Sequence, residues 1–283
     1  MSKLTLEYIV NKVDDMKVLP EIINKIIALT DDPDSTVQDM EKAILKDQVL
    51  TTKILRLANS AYYGYARKIS TISQATVLLG FQAIKGIALA STVRNYMTHE
   101  LKGYSLEKNQ LWQQSQTCAI ISRFIAKTIK YPNPEEAYIA GLLRDIGKTI
   151  LNEHMEREYA EVLLKVEQEE ITFLDGEREV LGFDHAEIGE KVAEKWNLPR
   201  ALVDAIGHHH TPDLANINPV LVSIVHVADA ITMMMGVGLG LDGLTYNLSP
   251  TAIETLQLDE IQLQNIISQI ADLIKDEDSF LTA

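Results

Sequence analysis

Five of the seven histidines lie between positions 185 and 226: His185, His208, His209, His210 and His226. Two aspartates stand in apolar helical surroundings, Asp145 in Gly141-Leu-Leu-Arg-Asp-Ile-Gly147 and Asp229 in Val225-His-Val-Ala-Asp-Ala-Ile231. A carboxylate among Leu, Ile, Val and Ala is costly to bury unless it is paired or metal-bound. Imidazole and carboxylate together suit Zn, Fe or Mn, and such an ion would activate a water for attack at phosphorus. A second reading needs no metal. Asp145 then pairs with Arg144 or Lys148, and His209 and His210 bond backbone carbonyls. Residue types alone leave both readings open.

The elements that must position these side chains all read as helices. Pro20 precedes a segment in which Ile22, Ile23, Ile26 and Ile27 form one apolar stripe at helical spacing. Asp31-Asp-Pro-Asp34 is a turn, and Ser35 with Gln38 three residues later has the pattern of a capping box. Leu50, Ile54 and Leu57 continue the helical pattern, Asn59 to Gly64 breaks it, and Thr71 with Gln74 has the pattern of a second capping box. Gly80 interrupts before a helix over Phe81–Arg94. Further helices are expected at about 110–130, 134–150, 154–170, 185–196, 199–208 and 217–235, with a final pair near 250–256 and 259–275. No stretch alternates with period two, so the expected class is all-α, with two helical lobes meeting near residue 100.

Composition narrows the function classes. The chain has 283 residues, 46% of them hydrophobic, which argues against disorder as its main state. Its net charge of −14 is unevenly placed. Residues 1–100 hold 12 basic and 11 acidic side chains, whereas residues 101–283 hold 14 and 29. Nothing between Asp47 and Glu100 is acidic, and that window carries Lys53, Arg56, Arg67, Lys68, Lys85 and Arg94. Nucleic-acid binding by the whole molecule is therefore not expected, although a helix-turn-helix outline around Gly80 keeps the basic window open to it. The one cysteine, Cys118, cannot form an intramolecular disulfide, so a reducing cytoplasm is the expected location. The uncharged run Ala230–Leu241 is too short to span a bilayer. Gly238, Gly240 and Gly243 fit the letters of a dinucleotide-binding motif, but a Met-rich helix precedes them instead of a strand, so a loop is expected.

Several motifs, taken in order, resemble a known family. Leu55-Arg-Leu-Ala-Asn-Ser-Ala-Tyr-Tyr-Gly64, Arg67-Lys-Ile-Ser70 and Ala75-Thr-Val-Leu-Leu-Gly80 look like the N-terminal signature of the HDOD domain. Trp112-Gln-Gln-Ser115, Gly141 to Lys148, Asp184-His-Ala-Glu-Ile-Gly189, Trp196-Asn-Leu-Pro199 and Ile206-Gly-His-His-His210 continue it, so that the resemblance covers roughly residues 14–245. It implies an all-α fold related to the HD and HD-GYP phosphohydrolases. The expected division is an N-terminal helical lobe over 1–100, a degenerate HD-like lobe over 101–245 and a helical tail over 246–283. HDOD proteins are bacterial and are generally regarded as signalling modules without established catalysis.

Carried over residue by residue, the resemblance keeps Asp145, Lys148, His185, His209, His210 and Asp229. It finds Gln114 and Arg144 where HD enzymes have ligand histidines, and Thr211-Pro212-Asp213 where the GYP element should be. Guanidinium cannot ligate a cation but can neutralise Asp145 and Asp229 where a metal would have done so. The expectation is therefore a non-catalytic regulatory module that binds a signalling protein or a small anionic ligand, with no cofactor and no membrane. Arg56, Asn59, Ser60, Arg67 and Lys68 are the binding candidates, because they flank a turn with free backbone donors. The alternative is a metal-dependent phosphohydrolase, acting on cyclic dinucleotides, with a single Fe, Mn or Zn held by Asp145, His185, His209 or His210, and Asp229.

Overall fold

The computed structural model describes residues 6–15, 18–60, 68–154, 156–238, 240 and 248–276. Sixteen α-helices lie among them. They are α1 (Leu6–Asp15), α2 (Glu21–Asp31), α3 (Val37–Ile44), α4 (Gln48–Ala58), α5 (Ile72–Leu79), α6 (Phe81–Met97), α7 (Gln110–Thr128) and α8 (Pro134–Leu143), then α9 (Ile146–His154), α10 (Glu156–Glu169), α11 (Phe173–Leu181), α12 (His185–Lys195), α13 (Arg200–Gly207), α14 (Pro219–Met234), α15 (Pro250–Leu256) and α16 (Glu260–Asp276). Among the described residues the one β pairing is an isolated bridge between Leu101 and Leu106, so the class is all-α as expected. Among the described residues no single helix is long and apolar enough to cross a membrane.

The chain divides by contact into two compact units, Met1–Lys17 with Tyr96–Ser268, and Val18–Asn95 with Gln269–Ala283. In the second of these, α2 buries Ile23, Ile26, Ile27 and Leu29, and α3 packs on α2 and α5. The α3 capping box sits one residue later than the sequence pattern suggested. Thr36 Oγ1 accepts from Asp39 N at 3.2 Å, and the Asp39 carboxylate accepts from Thr36 N at 3.1 Å. Ser35 N is already taken by the carbonyl of Asp32, which keeps Ser35 in the preceding turn. At α5 only half of the expected box forms. Thr71 Oγ1 accepts from Gln74 N at 3.1 Å, but Gln74 Oε1 reaches back to Ser70 N. The Lys53 ammonium, from α4, donates to the carbonyl of Ser91 on α6 at 3.2 Å.

The other unit carries the histidine-rich segment. Here α7 packs against α8 and α14, α9 against α12, α12 against α13 and α1, and α10 against α11. Asn133 caps α8 with its side chain on Glu136 N, and Pro134 at the first turn suits the helix start. The single helix expected over 134–150 is broken instead: α8 ends at Leu143, Arg144 and Asp145 make the corner, and α9 starts at Ile146. The break lets the start of α9 cross the start of α12 at backbone distance. A Cβ on Gly147 would collide with the carbonyl oxygen of His185 and lie 2.6 Å from Gly189 N. A Cβ on Gly189 would meet Ile206 at 2.9 Å. Glycine at 147 thus places the Arg144–Asp145 corner beside the first residue of α12.

Two helices escaped the sequence reading, α1 and α11. The second has recognisable end signals: Thr172 Oγ1 accepts from Asp175 N at 3.1 Å, and Gly182 ends the helix at φ 85°. Replacing Gly147 by alanine is expected to cost about 3 kcal/mol, because the obstructing atoms are backbone and cannot swing aside. Urea unfolding measures it, and a cost below about 1 kcal/mol would show that the crossing tolerates a side chain.

Candidate functional site

The corner between α8 and α9 presents two adjacent charges of opposite sign, both fully buried. Arg144 does not stay with its neighbour alone. Its Nε donates to Asp229 Oδ1, from α14, at 2.6 Å, one terminal nitrogen lies 3.0 Å from Asp145 Oδ2, and the other donates to the carbonyl of Gly141 at 3.2 Å. On the far side of Asp145, Lys148 Nζ approaches Oδ1 at 2.9 Å. Burial opposes charge on Asp145, but Arg144 and then Lys148 overcome it and hold this carboxyl well below the usual range. Arg144 is opposed by burial too, and Asp145 and Asp229 keep it charged.

Three imidazoles complete the cluster. His185 is the first residue of α12, whose start is fixed by Asp184: Oδ1 accepts from the backbone N–H groups of Ala186 and Glu187, and Oδ2 from Arg178 at 2.7 Å. His209 and His210 follow the end of α13. One ligand atom from each of Asp145, His185, His209 and His210 can be drawn within 4.8 Å of the others. His185 Nε2 lies 3.4 Å from Asp145 Oδ1 and 2.9 Å from His210 Nε2, and His209 Nε2 lies 3.7 Å from Asp145 Oδ1.

The outer nitrogens explain this convergence. His209 Nδ1 bonds the carbonyl of Ile206 at 2.8 Å, and His185 Nδ1 bonds Glu177 Oε2 at 2.7 Å. A carbonyl or carboxylate on Nδ1 fixes the tautomer that turns Nε2 inward. Burial works against a proton on His185, yet Glu177 and then Asp145 offset this, pushing it up to about 10. For His210 burial, His209 and His185 act together and push it well down. The two rings share one hydrogen bond between their Nε2 atoms.

The residues fit a single cation. His209 Nε2 is buried without a hydrogen-bond partner, and three imidazoles with one carboxylate suit Zn, Fe or Mn. They do not fit a pair of cations. Asp229, expected among the candidate ligands, lies outside the four-residue group, its Oδ1 occupied by Arg144. Gln114 is fully buried, but its amide donates to Met233 Sδ at 3.4 Å. His226 is also committed elsewhere, with Nδ1 on the carbonyl of His209 and Nε2 accepting from Ser249 N.

Glu177 went unnoticed in the sequence because α11 did. Tyr104 and Tyr159, whose hydroxyls both reach Glu177 Oε1, at 2.6 and 3.0 Å, went unnoticed with it, since neither lies near it in sequence. The end signals of α11, Thr172 with Asp175 and then Gly182, were the available clue.

The N-terminal binding candidates look different. Asn59 is a clamp: its amide donates to the carbonyls of Leu55 and Ile69, and its Oδ1 accepts from Ile69 N at 2.8 Å. The backbone donors of Asn59 and Ser60, expected to be free, are spent on Leu55, Arg56 and Leu57, as befits a helix C-terminus. Arg56 and Lys68 are exposed, and Arg67 lies outside the described residues, as do Tyr62, Tyr63 and Gly64 and most of the Gly238–Gly243 segment.

Comparison with known proteins agrees with the all-α fold. The HDOD domain model matches residues 16–212. An uncharacterized protein of Treponema pallidum is 27% identical over 212 residues, which make up 71% of this chain but only 39% of that protein. Among solved structures, an HDOD domain protein of unknown function from Geobacter sulfurreducens is 25% identical with a TM-score of 0.78, covering 96% of both chains. A protein of Shewanella amazonensis SB2B, named provisionally as a phosphohydrolase, is 26% identical with a TM-score of 0.66, covering 93% of this chain and 97% of its own. The chain belongs to the HDOD domain family, all-α relatives of the HD phosphohydrolases.

Proposed function

We propose that this chain is a regulatory module that acts by binding a signalling partner and does not hydrolyse phosphoesters. The observation that carries the reading is the Arg144 guanidinium, in contact with both Asp145 and Asp229. A water-activating pair of cations needs those oxygens, and a fixed positive charge between them repels a second ion. With Asp229 and Gln114 committed elsewhere, the ligands left serve one ion. A small anionic ligand and the acid-free window over residues 48–99 belong to the same proposal, as do a cytoplasmic setting and the absence of nucleic acid among the partners.

The alternative, a metal-dependent phosphohydrolase, is favoured by one specific observation: three inward imidazole nitrogens around Asp145, with His209 Nε2 unpartnered. Asp145, His185, His209 and His210 would hold the ion, which would supply Lewis-acid polarisation of a water or phosphoryl oxygen. The chain's own groups constrain that chemistry. Lys148 and Arg144 draw on the carboxylate that the ion would share, and the proton on His185 must leave before its Nε2 can bind.

Two outcomes are expected. Protein loaded with Mn, Fe or Zn and offered bis(p-nitrophenyl) phosphate or a cyclic dinucleotide shows no turnover above the metal-only blank. Turnover that disappears in His185→Ala would overturn the regulatory reading in favour of the hydrolase. Removing the guanidinium with Arg144→Ala costs about 3–5 kcal/mol, since two buried carboxylates lose their counter-charge. Adding Asp229→Asn in that background recovers part of the loss, and urea unfolding of both variants checks it. A single variant as stable as the parent would mean that the guanidinium is not what neutralises Asp145 and Asp229.

A further inference from the structure

Glu177 is fully buried, one helix removed from the cluster, and has a partner for every bond it makes. Its Oε2 accepts twice from one residue, from the backbone N–H of His185 at 3.1 Å and from the ring Nδ1 at 2.7 Å. Its Oε1 accepts from the hydroxyl of Tyr104 at 2.6 Å and lies 3.0 Å from that of Tyr159, whose single proton is shared between Glu177 and the Tyr104 oxygen. Four donor groups thus surround one carboxylate and hold its orientation. The aromatic surroundings fix the donors in turn. Tyr104 packs on Tyr159 with ring centres 4.8 Å apart and on Phe173 at 5.4 Å, and meets the His185 ring edge-on at 6.2 Å. Gly103 leaves room for Tyr159, since a Cβ there would lie 2.5 Å from the tyrosine ring.

The consequence concerns His185. An imidazole at the start of a helix ordinarily has rotameric freedom and a backbone N–H without an intrahelical acceptor. Glu177 removes both. Gripping backbone and ring from the same oxygen leaves one ring plane, the one that carries Nε2 to 3.4 Å from Asp145 Oδ1.

We propose that Glu177, held by Tyr104 and Tyr159, is the positioning residue of the centre: it sets the His185 ring so that Nε2 faces Asp145 and His210. Glu177 contributes no ligand atom to the cluster, and it acts only through His185. The claim deepens the single-cation reading of the site, but it makes a separate statement about ring orientation that holds with or without an ion.

The test uses the full chain and two readouts. The first is titration with Co²⁺ alone, followed by its visible absorption. One equivalent is expected to bind the parent protein, and Glu177→Gln is expected to weaken binding about 10–100-fold with an altered spectrum. Tyr159→Phe, which removes one of four donors, should shift affinity the same way by a smaller factor while leaving the fold intact. The second readout is the ¹⁵N-resolved imidazole spectrum of metal-free protein. There a hydrogen-bonded His185 Nδ1 proton is expected in the parent and shifted in Glu177→Gln, whose neutral amide oxygen is the weaker acceptor. No Co²⁺ uptake by the parent would end the cation reading, and the imidazole spectrum would then decide the positioning claim alone. A folded Glu177→Gln with the parent's imidazole spectrum, or with the parent's Co²⁺ affinity and absorption, would overturn the assignment.

Discussion

The buried contact of one guanidinium with two carboxylates is the constraint on which the rest of this unit depends. Arg144, Asp145 and Asp229 come from the α8–α9 corner and from α14, all without access to water. Charges so placed are tolerable only when opposite signs are matched at close range and the leftover polar atoms find partners. The wider cluster meets the first requirement with its own residues, while His209 Nε2 stays without a hydrogen-bond partner. Arg144, Lys148 and a protonated His185 stand against Asp145, Asp229 and Glu177. Each cation touches at least one of the three anions, so the group approaches neutrality from inside the chain.

Local backbone chemistry delivers these side chains. The corner exists because α8 stops after Leu143, and Gly147 then lets α9 run against the first turn of α12. Asp184 starts α12 with two backbone donors on one oxygen and Arg178 on the other, which fixes where His185 emerges. Burial pushes the Asp184 carboxyl up, but His185, the backbone N–H of Glu187 and Arg178 outweigh it and hold the carboxyl below its ordinary range, so it stays ionised as a cap across the neutral range. Site geometry here is a matter of where helices stop and start more than of the helices themselves.

That distinction also governs what the sequence could reveal. Helical class, the order of most helices and the candidates Asp145, His185, His209, His210 and Arg144, which the fold brings together, were legible, because apolar periodicity and a buried-looking charge leave marks over short windows. The partition of the charges was less so. Asp229 sits in as apolar a setting as Asp145 and was expected both as a partner of Arg144 and as a candidate ligand; the position of α14 puts it on Arg144 and away from the imidazoles. Glu177 looks like a surface residue in Asp175-Gly-Glu-Arg178, since its neighbours in sequence are polar while its neighbours in space are two tyrosines and a histidine. Asn59 shows the converse. A polar turn residue invites a ligand, but its hydrogen bonds to Leu55 and Ile69 make it a clamp within the backbone.

The arginine at the corner also bears on what one substitution there can do. Histidine at 144 would strip Asp229 of its partner, with no ion yet bound to replace it. Gln114 would still offer no coordinating nitrogen, being packed on Met233. A single exchange therefore opens a gap in charge without making a second cation site. The same side chain that balances the buried carboxylates closes the one-step route to such a site.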